Sequence, residues 1–265
     1  NYNELLKYAV GAPIYGWTQM LYSGVYSHLN EIPVNPLTGQ RLSYFKTYEP
    51  VRPGFPIWKD VNHDWDVWSD EDRGEQFGDL VATGNPNPKI TGGLYNEFSY
   101  KNFSVGVLAT YTIGRDIINN FESTQFNNVW NFGNIHDFAR NRLPDLSKYD
   151  YRTPTKAENP NYIAGFPSLN PDGGHFYEFL PFSTLWNENG TYFKIKNVTL
   201  GYSFNQNVVK RLGIQTIRLY SIIDNLYSFQ KSKVPDAVLV SPPGDYSGAA
   251  YPLPRTYTFG FDITI

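Results

Sequence analysis

The chain has 265 residues, 41% of them hydrophobic and 17% aromatic, against 18% charged and a net charge of −3. That length can bury a sizeable core, and the composition excludes a disordered chain and a basic nucleic-acid binder. With no cysteine in the chain, disulfides, thiolate catalysis and Cys-ligated zinc are excluded as well.

The chain opens at Asn1 with neither an initiator Met nor a charged-then-apolar leader, so a signal peptide is expected to be absent or already removed. The longest uncharged stretch, 8–27, reaches about the 20 residues of a membrane span, but Gly11, Pro13, Gly16, Thr18, Gln19 and Gly24 exclude a transmembrane helix. Its looser alternation predicts a first strand near 14–28. A long polar connection, 29–89, then leads to a strand at 90–100. Lys101-Asn102 forms a tight joint to the next strand, 103–114, where Phe103, Val105, Val107, Ala109, Tyr111 and Ile113 share one face. The connection 115–190 carries Ile118, Phe121, Gln125, Val129 and Trp130 at helical spacing, which predicts a short helix. A strand at 190–204 places Val198, Leu200, Tyr202 and Phe204 opposite Asn197, Thr199, Gly201 and Ser203. The link 205–213 is short and holds one helical turn over 208–212. A strand near 214–225 and a long connection, 226–254, precede the last strand, 254–265. There Tyr257, Phe259, Phe261, Ile263 and Ile265 alternate with Thr256, Thr258, Gly260, Asp262 and Thr264.

Short and long connections alternate, which puts the short turns at one end of an up-and-down sheet and the long loops at the other. Outer-membrane β-barrels are built this way, with ~10-residue strands, short periplasmic turns and longer extracellular loops. A soluble β-sandwich also alternates, but unstructured loops of this length are uncommon in compact domains, and the strands available leave little to cover their apolar faces. Six strands fall short of the roughly eight that the smallest such barrels need, and open edges in lipid cost several kcal/mol per unpaired group. The expectation is an all-β chain, 1–265, forming part of a large transmembrane antiparallel β-barrel and not a closed barrel by itself. Thr110, Thr112, Thr199, Ser203, Thr256 and Thr258 are expected to face the lumen, and Val105, Val107, Leu200, Tyr202, Phe259 and Phe261 the lipid.

Asp79-Leu-Val-Ala-Thr-Gly-Asn-Pro-Asn-Pro-Lys-Ile-Thr-Gly-Gly93 followed by Tyr100-Lys-Asn-Phe103 resembles the "IGNPNP…TGG…YKNF" stretch of the SusC/RagA family of TonB-dependent outer-membrane transporters. Val10-Gly-Ala-Pro-Ile14 is similar to that family's "VGxPI", and the stretch from Gly190 to Tyr202 to its "gsYLRLKNLTLGY". Leu219 to Leu226 is similar to "lyvsgqNL", and Tyr251 to Phe261 to the closing "YPxPRTFTLGL". The resemblance implies the C-terminal portion of a large barrel at the bacterial outer membrane, with the plug domain supplied by the remaining N-terminal portion. It implies uptake powered through TonB, a SusD-like surface lipoprotein as lid, and an oligosaccharide or peptide as substrate. The last strand departs from the family's aromatic ending at Ile265.

One constellation could hold a metal. Asp60, Asn62, Asp64, Asp66 and Glu71 occupy positions 1, 3, 5, 7 and 12 of an EF-hand-type calcium loop, with Trp65 where the sixth-position glycine belongs. The resemblance carries a "DxNxDGxI" segment onto Asp60, Asn62, Asp64 and Val67. A structural calcium ion is one expectation for this loop, and a solvated acidic loop is the other. The four histidines are scattered singly, and no nucleophile elbow, Walker loop or dinucleotide fingerprint is present, so the chain is not read as an enzyme. A second class of function is a soluble secreted β-rich glycan-binding module, in which Trp58, Trp65 and Trp68 would stack on sugars.

Overall fold

The computed structural model describes residues 10–11, 13, 15–26, 28–44, 49–51, 55–67, 78–127 and 183–265. The chain divides into two units, one of Asn1–Asn85 with Ile118–Asn187 and one of Pro86–Ile117 with Glu188–Ile265.

The first unit holds β1 (Trp17–Met20), β2 (Tyr22–Val25), β3 (Ser43–Tyr44), β4 (Glu49–Pro50), β5 (Pro56–Trp58), β6 (Asp66–Val67) and β7 (Leu80–Thr83). They pair as β1 with β7, β2 with β5, and β3 between β4 and β6. Residues 14–28, expected as one wall strand, therefore form two short strands in local sheets. The break falls at Leu21, and β2 is itself irregular: its register with β5 shifts between Tyr22 and Gly24, and Gly24 takes φ +139, which other residues rarely adopt.

Around these strands Met20, Tyr44, Phe55, Trp58, Val67 and Trp186 are buried as one core. The Tyr44 ring stands 5.1 Å from that of Trp58, and its hydroxyl donates to the carbonyl of Pro56. Burial of this kind contributes roughly 1.5–3 kcal/mol per large side chain. Buried Gln19 on β1 donates to the carbonyl of Ser183 at 3.2 Å and to Asn187 Oδ1 at 3.0 Å. It accepts from Asn187 Nδ2 at 2.8 Å and from Thr83 Oγ1 at 2.5 Å. A segment distant in sequence is thus tied to β1 by satisfied polar groups.

The second unit is dominated by a five-stranded sheet. It comprises β8 (Ile90–Tyr100) and β9 (Phe103–Ile113), and, after the short strands β10 (Asp116–Ile118) and β11 (Asn187–Asn189), β12 (Tyr192–Ser203), β13 (Thr216–Gln230) and β14 (Thr256–Thr264). Every neighbouring pair is antiparallel, in the order β8-β9-β12-β13-β14. Lys101-Asn102 makes the β8–β9 turn, with Lys101 at φ +52. The β12–β13 link is also short: Asn205 Oδ1 caps its helical turn, Gln206–Val209, by accepting from Asn207 N at 3.0 Å, and Gly213 closes the link at φ +74. Both short links lie at one end of the sheet, and the long connections 114–191 and 231–255 leave from the other.

The connection after β9 contains a helix, Asn120–Asn127, over the first part of the predicted helical pattern; Val129 and Trp130 lie outside the described residues. β13 runs on to Gln230, past the expected end near 225. β8 and β14 are unpaired on their outer sides among the described residues, so the sheet is an open section of wall and not a closed barrel.

Candidate functional site at the polar face of the wall

Cross-strand register sorts the wall residues onto two faces. On one face Phe103 aligns with Tyr202, Leu219 and Phe261, Val105 with Leu200, Ser221 and Phe259, and Val107 with Val198, Ile223 and Tyr257. The six residues expected to face lipid all lie here. Aromatic pairs gather towards the two ends: Phe103–Tyr202 at 4.7 Å and Tyr202–Phe204 at 5.1 Å by the short turns, Phe193–Phe229 at 6.3 Å and Tyr227–Phe229 at 4.6 Å by the long connections. From Phe193 to Phe204 is about ten strand steps, roughly 33 Å along the strand at ~3.3 Å each. A tilt of about 40° makes that roughly 25 Å, the height of the apolar band of an outer-membrane barrel. Phe259 is 79% exposed on this face and Tyr100 71%, far more apolar surface than a soluble domain leaves open.

The opposite face is polar. Ser104 aligns with Gly201, Tyr220 and Gly260, Gly106 with Thr199, Ile222 and Thr258, and Leu108 with Asn197, Asp224 and Thr256. Thr110, Thr112 and Ser203 share it, so all six residues expected to face the lumen are on one side. Asn197 Nδ2 donates to Asp224 Oδ1 at 2.7 Å, and Thr199 Oγ1 to Asn197 Oδ1 at 3.0 Å. The glycines make room for large polar side chains reaching across from the next strand. A Cβ on Gly260 would stand 2.3 Å from Tyr220 Cζ, one on Gly201 3.2 Å from Arg218 Nη2, and one on Gly106 3.0 Å from Tyr95 Oη. Glu97, Arg218 and Asp262 put charges of both signs on this face, with Arg218 directly opposite Asp262.

By the long connections, the segment after β13 folds back onto the polar face. Lys194 Nζ meets Asp236 Oδ2 at 2.6 Å, with side chains only 5% and 8% exposed. Asp236 Oδ1 also accepts from Val238 N at 3.1 Å. Gln230 Oε1 accepts from Ala237 N at 3.0 Å, and Gln230 Nε2 donates to the carbonyl of Val234. Arg115 Nη2 donates to the carbonyl of Ser241 at 2.8 Å, and Glu188 Oε2 accepts from Lys233 N at 2.6 Å. Val234, Ala237, Val240 and Tyr246 of this strap are buried. Sequence reasoning missed it: strict alternation with Val198 and Leu200 would put Lys194 on the apolar face, and Asp236 is 42 residues away.

The acidic loop lies in the first unit. Asp60 Oδ1 accepts from His63 N at 2.7 Å and Asp60 Oδ2 from Trp65 N at 3.1 Å. Asn62 Oδ1 accepts from Asp64 N at 3.1 Å, and Asp64 Oδ1 from Asp66 N at 2.9 Å. Asp66 Oδ1 accepts from Ser43 Oγ at 3.0 Å. Trp65 takes φ +70, the left-handed turn that glycine makes at the sixth position of a calcium loop. Glu71 lies outside the described residues, and among those described no group of three or more Asp, Glu or His side chains converges as a metal site. The described part of the loop thus has the left-handed turn of a calcium loop.

Trp58 is buried in the core, Trp65 is partly buried, and Trp68 lies outside the described residues. No helix among the described residues is long and apolar enough to cross a membrane.

No protein-family profile matches the chain. Among curated proteins it is similar to three TonB-dependent receptors of Formosa agariphila. It is 26% identical to receptor P39 over 182 residues, 68% of this chain and 15% of that protein. The identity is 24% to receptor P3, over 72% of this chain and 19% of that one, and 26% to receptor P26, over 70% and 18%. The chain thus spans less than a fifth of the length of each relative. Among solved structures, one of the RagAB peptide transporter superposes over 94% of this chain and 23% of its own, with a TM-score of 0.61 at 18% identity. The RagAB peptide importer in its closed-closed state gives a TM-score of 0.56 at 19% identity. The likeness is to receptors and importers and not to enzymes: in sequence the chain is similar to TonB-dependent receptors, and in fold its open antiparallel sheet is similar to part of the barrel of the RagAB transporter.

Proposed function

We propose that this chain is the wall-and-loop part of an outer-membrane nutrient importer, its apolar face against lipid and its polar face lining the passage. The observation that carries the reading is the two-faced antiparallel sheet, whose apolar face has no covering layer in its own unit. In the complete protein, an N-terminal portion supplies the other strands and the plug, TonB supplies the energy through that plug, and a SusD-like lipoprotein covers the outer mouth. The cargo is an oligosaccharide or a peptide, and the likeness to the RagAB peptide transporter favours a peptide. The test is purification, from detergent-extracted outer membranes, of whatever carries this chain, with mass spectrometry of its partners and uptake of fluorescent peptides and oligosaccharides by the same cells. Co-purification with a plug-bearing portion and a surface lipoprotein, and uptake that stops when TonB is removed, are the expected results. Recovery as a soluble 30 kDa monomer would sink the reading in favour of a secreted binding module.

The loop beginning at Asp60 is proposed, secondarily, to take a structural calcium ion through Asp60, Asn62, Asp64, Asp66 and Glu71. The left-handed turn at Trp65 supports this. The ion would stiffen the loop and take no part in chemistry. Trp65 itself is a probe: terbium bound here would emit when the indole is excited, and Asp60→Asn would abolish the emission. If terbium emission is the same in the native protein and in Asp60→Asn, the loop binds no ion.

A further inference from the structure

Of the polar features outside the core, the strap after β13 carries the most structure that wall formation does not require. A wall hairpin needs only a turn between Gln230 and Thr256, yet this connection is pinned at separate points: on the polar face by Lys194 on β12 and Gln230 at the end of β13, and beside it by Arg115 between β9 and β10 and Glu188 within β11. Its anchor is a Lys–Asp pair almost fully withdrawn from water. Such a pair contributes little compared with an apolar replacement, but breaking it by removing one partner leaves a buried charge, so it holds the strap to one position more than it stabilises the fold. The register fixes the side. Lys194 stands opposite Thr110 and Ser228, and Gln230 opposite Tyr192, all on the polar face.

Resting on the reading of that face as the lining of the passage, we propose that residues 231–250 are a fixed strap, locked by Lys194–Asp236, that narrows the outer mouth and sets the largest cargo admitted. The strap, and not only the wall, is then a specificity element. It is no lid: its inner side chains Val234 and Ala237 are each 1% exposed, and opening would strand Lys194.

The experiment uses the intact outer-membrane protein that carries this chain. This chain has no cysteine, so Ala237→Cys introduces a buried reporter here, and Val238→Cys, at a position 38% exposed, the neighbouring control. Maleimide labelling is expected to be at least a hundredfold slower at the first than at the second. Adding Asp236→Asn, which orphans the lysine, should raise labelling at the Ala237→Cys site by about a hundredfold or more, as the penalty for a broken buried pair implies. The charge-free double variant Lys194→Met with Asp236→Leu should return most of the protection. Equal labelling at the two sites in the otherwise native protein, or no change with Asp236→Asn, would overturn the lock. The second readout is uptake of a ladder of fluorescent oligopeptides: Asp236→Asn should admit longer members than the native protein. If labelling responds as expected and the length cut-off does not move, the strap is locked but does not set cargo size, and that part of the inference fails. If the labelling responds but no peptide enters even the native protein, the cut-off is read on an oligosaccharide ladder, and failure to enter there overturns the reading of the face as a passage.

Discussion

A pair of arginine substitutions one residue apart tests the assignment of the two faces. Val198 lies on the apolar face of β12, between Val107 and Ile223, with aromatic rows on either side. Four residues separate it from Tyr202, about 13 Å along the strand at ~3.3 Å each and roughly 10 Å along the membrane normal after a tilt of about 40°. Since half of a 25 Å band is about 12 Å, Val198 falls near the bilayer midplane. An arginine there is expected to cost about 2–4 kcal/mol, a factor of roughly thirty to nearly a thousand in the folding equilibrium. Thr199 is its chain neighbour on the polar face and loses only its hydrogen bond to Asn197, a cost of about 1 kcal/mol. The assay is denaturant-dependent folding of the complete barrel into lipid vesicles, followed by the heat-modifiable mobility of the folded form. Val198→Arg should require markedly less denaturant to unfold than Thr199→Arg. Equal costs, or the reverse order, would refute the facing.

Adding a methyl group at Gly260, where a Cβ would meet the Tyr220 ring at 2.3 Å, should destabilise the wall by about 1–3 kcal/mol; combining Gly260→Ala with Tyr220→Ser should recover part of that, as read in the same folding assay. Gly84→Ala is expected to destabilise the first unit, because the backbone is at φ +66 and the new Cβ would lie 2.1 Å from the Trp17 ring; a fall in thermal midpoint followed by tryptophan fluorescence checks it. Burial pushes the Tyr26 hydroxyl up to about 12 and that of Tyr44 well above the tyrosine value of 10.0. Because the folded state holds these protons more tightly than the unfolded chain, their contribution is fully present below pH ~10 and declines as pH rises through the folded pKa. Unfolding monitored between pH 9 and 12 should show that decline, and Tyr44→Phe should make it shallower.

The wall was legible in the sequence because a sheet with lipid on one side and polar surroundings on the other writes its faces as a period of two, clearest over Thr256–Thr264 and Phe103–Ile113. The tight joint at Lys101-Asn102 was legible for the same reason, since alternation stops on either side of it. The first unit was not. Its core gathers Met20, Tyr44 and Trp58 from strands of two to four residues and Trp186 from a single 3-10 turn, all too short to show a period, and the Trp58 ring that suggested sugar stacking is spent on packing. The 14–28 segment shows the same limit: it breaks at Leu21 into two short strands that pair with different partners. The strap's anchor is a pairing between residues 42 apart, and nothing local to either marks it.

The bulge in β12 has a consequence for how the wall tolerates changes in length. Below it the apolar residues Val198, Leu200, Tyr202 and Phe204 carry even numbers; above it Phe193 and Ile195 carry odd ones, and the register slips between Ile195 and Asn197. Lys196 is thus a phase corrector, a spare residue absorbed so that the two halves of the strand agree on which side is out. Without that absorption the upper half would turn over, carrying Phe193 and Ile195 to the polar side and Lys194 into the lipid. Wall strands of this chain can therefore change length only in even steps or at such a corrector, and deletion of Lys196 is the single-residue deletion in β12 that leaves every other side chain facing as it does now.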